Sequence, residues 1–549
     1  MMRVTRATLR LLACVGAVMA LAVVTSAVAS ARTRTKSAKA AQSAVPCAAG
    51  TNVTINSGPI CGITDNGVNE WLGIPYAAPP VGALRWQPPQ PPAPWTTTLQ
   101  ATQFGSECAQ YFPGFGAPAG SEDCLYINVW KPAGSSTKLP VLVHIHGGGF
   151  VIGNGNGDNT LLASTGDEVV VSMNYRLGIF GFLADKGLGA NSGDYGLQDQ
   201  QFALRWVKQN ITKFGGDPSN VTIYGESAGG SSVCDAIASP TAAGLFERAI
   251  SVSGEYNTLL GSPTSLEAQD CKSQIPTHAQ AFAAGRNFAA AVGCGTGTSA
   301  VDVACLRNVS TTTAETTAGV GYQDGGQGTV APTINRTTLT MTLRQALAKG
   351  KANKVDVIAG TDRDEDLVGT ATTAAQYTSL VDTQYGAFAS QVLARYPLSQ
   401  FDNPGVAWRT VAADSDTVCP ALQTASDLAS RMPVHEYEID DNDIPPYGPS
   451  GAGVVAAGAS HVGAWFLTPV SPALDANQQI LQDQEIAFVT AFARNGDPNT
   501  TSMPRWPTFN STGDVMSLQP AGDSELVTTG ELSAQHNCAF WDRVATQAP

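Results

Sequence analysis

The chain is poor in charge, and poorer in positive charge than in negative. Only 14% of its residues are Asp, Glu, Lys or Arg, with 31 basic side chains against 45 acidic ones and a formal net charge of −14. That balance argues against nucleic acid or an anionic membrane surface as a partner. No C-x-x-C pair and no His/Cys cluster occurs, so the signature of a zinc site is missing. After residue 28 no apolar run is long enough to span a bilayer. There is no internal repeat and no obvious linker between Pro46 and the C-terminus. With 549 residues, 43% of them hydrophobic, one large globular domain is the simplest organisation.

The one long apolar run stands at the N-terminus. Arg3, Arg6 and Arg10 precede it, it extends from Leu11 to Val28, and small residues follow, with Ala27-Val28-Ala29 and Ala29-Ser30-Ala31 as alternative cleavage sites. Residues 1–31 read as a secretory signal peptide. A membrane anchor is the alternative, for which the run is short and rich in Ala. Residues 32–46 read as a basic, disordered leader and residues 47–549 as the folded domain. The expected location is secreted or extracytoplasmic, with no integral anchor in the mature chain. Eleven cysteines fit export. Cys14 falls in the signal segment and ten remain, an even number whose pairing counting alone leaves open.

The middle of the chain alternates apolar strand patterns with helical ones. Strands are expected at 141–145, 168–173, 221–224, 249–252, 355–359 and 434–439. Leu197, Leu204, Val207, Ile211 and Phe214 recur at helical spacing, and a last long helix is expected over about 473–494. Such alternation predicts an α/β fold whose mainly parallel sheet is covered on both faces by helices, with functional loops at the strand C-termini. Residues 295–333, rich in Gly and Thr with weak periodicity, read as surface loops.

Strand 221–224 runs into Gly225-Glu226-Ser227-Ala228-Gly229 and then a helix start. With 56 glycines in the chain, a bare G-x-S-x-G is easily matched by chance, but strand, sharp turn and helix together are the setting of a nucleophile elbow. Ser227 is then an acyl-transfer nucleophile. Upstream, strand 141–145 ends in His146-Gly147-Gly148-Gly149-Phe150, where bare backbone N–H groups can approach a substrate oxyanion. The expected chain order of nucleophile, acid and base leaves His435, His461 and His536 as bases. His435 lies inside a strand pattern, where a structural role is expected, and His536 stands next to Asn537-Cys538 near the C-terminus, where a disulfide would fix it. His461 follows a Gly/Ala-rich segment after the sixth strand and is preferred by position. The acid should follow strand 355–359, where Asp362, Asp364, Glu365 and Asp366 leave the local reading ambiguous.

The chain resembles the type-B carboxylesterases of the α/β-hydrolase fold, a family that includes cholinesterases, bacterial esterases and fungal lipases. Besides the two glycine motifs, the resemblance rests on Gly73-Ile74-Pro75-Tyr76-Ala77, Glu122-Asp123-Cys124-Leu125-Tyr126-Ile127-Asn128-Val129, Asn174-Tyr175-Arg176, Gly196-Leu197-Gln198-Asp199-Gln200, Phe214-Gly215-Gly216-Asp217-Pro218 and Gly496-Asp497-Pro498-Asn499. It covers nearly all of residues 50–545. It implies Glu365 as the acid, because Gly360 to Glu365 matches the family's G-x-N-x-x-E except for Asp362 in place of Asn; Asp364 is second. The histidine implied is His461, although His461-Val462-Gly463-Ala464 lacks the acid usual at the fourth place. The oxyanion hole implied is the backbone N–H groups of Gly148, Gly149 and Ala228. Disulfides Cys108–Cys124, Cys294–Cys305 and Cys419–Cys538 are implied by family positions. Cys47–Cys61 and Cys234–Cys271 are the remaining pairs, with a buried free thiol at Cys234 as the alternative to the second.

The expected activity is hydrolysis of small carboxylic esters through a Ser227–Glu365–His461 triad and an acyl-enzyme, without metal or cofactor. Glu226, beside the serine, is a family feature that the resemblance leaves open to a structural role or to holding an ordered polar network. The Cys108–Cys124 loop contains Tyr111, Phe112 and Phe115 but no Trp, which argues against choline esters. A lipase acting on longer acylglycerols and a non-catalytic binding module of the same fold are the alternatives. Asn52, Asn220 and Asn335 stand in glycosylation sequons.

Overall fold

The computed structural model describes residues 46–112, 116–135, 138–254, 271, 277–296, 298–323, 331–365, 371–441, 467 and 474–547. The expected signal peptide, the leader up to residue 45, Phe115 and His461 lie outside these. Residues 44–549 form one structural unit. A small sheet is made of β1 (Val53–Ile55), β2 (Gly58–Cys61) and β5 (Leu99–Gln100). The large sheet takes β3 (Ile63–Asp65), β4 (Val68–Pro75), β6 (Tyr126–Pro132), β7 (Leu139–Ile145), β8 (Val169–Met173), β9 (Gly216–Glu226), β10 (Arg248–Val252), β11 (Asp356–Asp362), β12 (Val434–Ile439), β13 (Asp514–Leu518) and β14 (Glu525–Thr528). Their order across the sheet is β14-β13-β12-β11-β10-β9-β7-β8-β6-β4-β3. The seven strands from β8 to β13 are parallel, and the outer pairings are antiparallel.

The strands are buried because they are apolar on both sides. Val141, Val143 and Ile145 of β7 face one core with Val171, Ile223 and Val357, while Leu142 faces the other with Val170, Ile250 and Ile358. Successive side chains of a strand point to opposite faces, so such a strand needs helices on both. The first core is closed by Leu197, Leu204 and Val207 of the helix Tyr195–Asn210. The second is closed by Leu481, Phe488, Val489 and Phe492 of the helix Ala476–Asn495. Burying each such side chain contributes about 1.5–3 kcal/mol before ordering costs.

Glu168, just before β8, is completely buried on the second face, and burial pushes its carboxyl up to about 8 against the opposing pull of the Arg494 guanidinium. A carboxyl raised by folding favours the folded state at low pH, and that contribution fades as pH rises from about 4.5 to about 8. Glu168→Gln is therefore expected to raise Tm by a few degrees at pH 9 and to have little effect at pH 5, measured by calorimetry.

Two expectations change. The stretch 295–333 is not a set of surface loops: it contains helices Ala300–Asn308 and Thr311–Gln323. Ser299 and Asp302 form a capping box at the first, and Val303 and Leu306 of the first and Ala314 and Ala318 of the second supply buried contacts at helical spacing. The low hydrophobicity of the stretch hid this short apolar stripe. Asn335 is buried, and its amide donates to Asp194 (2.6 Å), so this sequon is closed to glycosylation in the folded chain.

Five disulfides are present: Cys47–Cys61, Cys108–Cys124, Cys234–Cys271, Cys294–Cys305 and Cys419–Cys538. Cys234 is thus bonded, not free. No helix among the described residues is long and apolar enough to cross a membrane.

Candidate active site

The chain leaves β7 to form β8 on one side and returns to form β9 on the other. The C-terminal ends of β7 and β9 therefore lie side by side at a topological switch point, with Ile145 in register with Gly225. One end carries the 146–150 glycine loop and the other carries Ser227.

Ser227 is held at φ +56° and ψ −123° as the first turn of the helix Ala228–Ala238 begins. A non-glycine residue in such a conformation costs on the order of 1–3 kcal/mol and persists only where its surroundings enforce it. Here the Ser227 N–H donates to the Val252 carbonyl at the end of β10 (2.9 Å), and the Ser227 carbonyl accepts from Ser231 N–H (2.8 Å). The flanking glycines are required by space. A Cβ on Gly225 would lie 2.6 Å from the Ile145 oxygen, and one on Gly229 would lie 2.0 Å from it. Ser227 is only 8% exposed.

The glycine loop packs directly on this turn. A Cβ on Gly147 would come within 2.6 Å of the Glu226 carbonyl oxygen and 3.2 Å of the Ser227 Cβ. Gly148 and Gly149 both have positive φ, +102° and +63°, conformations that glycine adopts without strain. The loop is braced by groups that motif reading passed over. His146 stacks on Tyr175 with ring centroids 4.3 Å apart, its Nδ1 lies 2.8 Å from the Gly147 carbonyl oxygen, and the Tyr175 hydroxyl donates to the His146 carbonyl (2.8 Å). Burial holds His146 neutral, lowering it to about 3. Gln110, inside the Cys108–Cys124 loop, exchanges two hydrogen bonds with Gly153.

Glu365 follows β11, two strands from Ser227 in the sheet. Its carboxylate is buried, accepts from the Thr361 hydroxyl (3.2 Å) and is also hydrogen-bonded by the Ser253 side chain. Ser253, just past β10, is a second group that motif reading missed; its position one residue beyond a predicted strand was the available signal. Burial, with help from the Glu226 charge, raises Glu365 to about 8, and burial raises Glu226 to about 7. Asp364 turns away into an ion pair with Arg363 (2.7 Å).

The histidines divide clearly. His435 sits at the start of β12, edge-on to Trp506 and Phe492, beside a cavity of about 620 Å³ at the opposite end of the strands from Ser227. His536 is buried between Asp414 and Glu438. His144 stacks on Tyr224 within the sheet, and His278 starts a helix and packs on Phe282. Among the described residues, no group of three or more His, Cys, Asp or Glu is placed to hold a metal ion.

Comparison with known proteins agrees with this architecture. The para-nitrobenzyl esterase of Bacillus subtilis (strain 168) is 33% identical over 503 residues, covering 88% of this chain and 97% of its own. A human cocaine esterase is 31% identical, covering 88% of each, and a fumonisin B1 esterase of Sphingopyxis macrogoltabida is 30% identical, covering 84% and 85%. A solved PNB esterase structure superposes with a TM-score of 0.72 at 29% identity, covering 89% of this chain and 99% of that one. A thermophilic PNB esterase structure gives 0.70 at 29%, covering 89% and 100%. The carboxylesterase family pattern matches residues 49–541. The chain therefore belongs to the carboxylesterase family and is a carboxylic ester hydrolase of the α/β-hydrolase fold.

Proposed function

We propose that Ser227, Glu365 and His461 form a nucleophile–acid–base triad that hydrolyses small carboxylic esters through an acyl-enzyme. The observation that carries this reading is the strained Ser227 turn packed against the Gly147–Gly149 loop. His461 accepts the Ser227 proton as Oγ bonds to the ester carbonyl carbon. The oxyanion forms against the N–H groups of Gly148, Gly149 and Ala228. The tetrahedral species collapses as His461 protonates the departing alkoxide. Water, deprotonated by His461, then releases the acid and regenerates the serine. Glu365 orients the imidazole and stabilises its charged form. The assignment of His461 is supported by the other histidines, each of which is committed elsewhere.

Glu226 adjusts the working pH in this reading. Burial is the main cause of the raised Glu365 carboxyl, and the Glu226 charge adds to it. Removing that charge lets Glu365 ionise at lower pH. Glu226→Gln is expected to move the acidic limb of the kcat/KM profile down by up to about one pH unit.

The substrates favoured are soluble esters with an aryl or benzyl group, in keeping with the para-nitrobenzyl and cocaine esterases among the relatives. The chain works after export: five disulfides persist in an oxidising compartment, and residues 1–31 serve as a signal peptide. Labelling with a fluorophosphonate, mapped to Ser227, tests the nucleophile. Rates across p-nitrophenyl esters of increasing chain length test the substrate class: a steep rise above the solubility limit of long esters would replace this reading with a lipase.

A further inference from the structure

The loop that carries Glu365 is tied to the C-terminal helices through a buried chain of alternating charges. Its far end is Asp414, which sits at a π-helical turn, Asp414–Val418, between helices Pro404–Ala413 and Cys419–Ala429. Such turns redirect side chains and recur at functional sites. The Asp414 carboxylate accepts from the Tyr396 hydroxyl (2.7 Å) and from His536 Nδ1 (2.5 Å). His536 stands two residues before Cys538, and the Cys419–Cys538 disulfide holds it against Asp414. The other face of the imidazole, Nε2, lies 2.9 Å from Glu438 Oε1 on β12.

From Glu438 the chain turns toward Glu365 by two routes. Glu438 is in register with Thr361 on β11, so the two side chains share one face of the sheet. Thr361 in turn donates to Glu365 (3.2 Å). Glu438 also acts electrostatically on Arg363, whose guanidinium pairs with both Asp364 and Asp440. Arg363 is two residues from Glu365, and its N–H donates to the Ile439 carbonyl of β12 (3.0 Å). Burial alone would lower His536, but its pairing with Asp414 and Glu438 raises it to about 10, so it is a cation at neutral pH. Without it, Asp414 and Glu438, both raised by burial and lowered by His536, would lose the cation between them and would take up protons or move, and either way the pairing that fixes β12 against the C-terminal helices is lost.

Resting on the reading of Glu365 as the triad acid, we propose that His536 is a positioning residue for that acid, acting through Glu438 and the Thr361–Arg363 segment. His536 touches no reacting atom. Its part is to keep β12 and the end of β11 in the one arrangement that aims the Glu365 carboxylate. An error of about 1 Å in such a group costs roughly a hundred-fold in rate.

The test is a double-mutant cycle on the full mature chain, with p-nitrophenyl acetate as substrate. Steady-state kcat and KM are measured for the wild type, His536→Gln, Glu365→Gln and the double variant. The expected result is a roughly ten- to hundred-fold loss of kcat for His536→Gln with KM changed less than about two-fold, and less than about two-fold further loss when it is added to Glu365→Gln. Equal losses in both backgrounds would mean a general structural role and overturn the proposal, as would an unchanged kcat. A Glu365→Gln variant as active as the wild type would instead overturn the triad reading itself. If His536→Gln does not fold, the nearly isosteric Glu438→Gln, which removes the charged partner of His536 Nε2 and does not touch Glu365, is carried through the same cycle, with the same pattern expected and the same patterns refuting it.

Discussion

Ser227→Ala is expected to lower kcat by on the order of a million-fold while KM and Tm stay near their wild-type values. The size follows from the chemistry: without Oγ no acyl-enzyme can form, and only the oxyanion donors and substrate binding remain to speed attack by water. The fold should survive because Ser227 is held through its backbone, by the bonds to Val252 and Ser231. Alanine must still adopt φ +56°, so the strain of the turn is kept, not relieved. Stopped-flow kinetics with a p-nitrophenyl ester, beside circular dichroism, would check both halves. Retention of even one-hundredth of the wild-type rate by correctly purified protein would remove Ser227 from the mechanism.

The second large effect is expected at Glu365. Glu365→Gln keeps the size of the side chain and can still meet the Thr361 hydroxyl, but it removes the charge that stabilises an imidazolium. The loss in kcat should be on the order of ten thousand-fold. Asp364→Asn should cost far less, because Asp364 faces Arg363 and not the site. The comparison is sharp because the two residues are adjacent in sequence and differ in direction. A reversed ranking would move the acid to Asp364.

Much of this site could be read before folding. G-x-S-x-G after a strand, and three glycines after another, are dictated by local needs: a strained turn and close backbone approach. Those needs act within five residues, so they leave a mark that five residues can show. The acid was harder. Three further carboxylates stand near Glu365, and nothing local distinguishes them; the family pattern was needed to prefer one. Ser253 was marked in the sequence only by its place one residue beyond a predicted strand; its bond to Glu365 arises only when β10 and β11 lie side by side. The helices between residues 300 and 323 were missed for the opposite reason. Their caps were present, but their apolar stripe is short and framed by Thr and Gly.

What the sequence determined by itself, then, was the class of the protein. Apolar strands alternating with amphipathic helices admit few solutions other than a parallel sheet covered on both faces, and the glycine motifs at two strand ends mark where chemistry belongs. The tertiary structure alone decided which distant groups meet. It set the end of β7 beside the end of β9, so that Gly147 packs on Ser227. It turned Glu365 inward and Asp364 outward. It also brought His536 from the C-terminal helices to Asp414 and Glu438, 122 and 98 residues away in the chain. The physical reason is the same in each case. Turns and periodicities are short-range properties of a chain, whereas burial, charge pairing and register depend on partners that only the complete fold supplies.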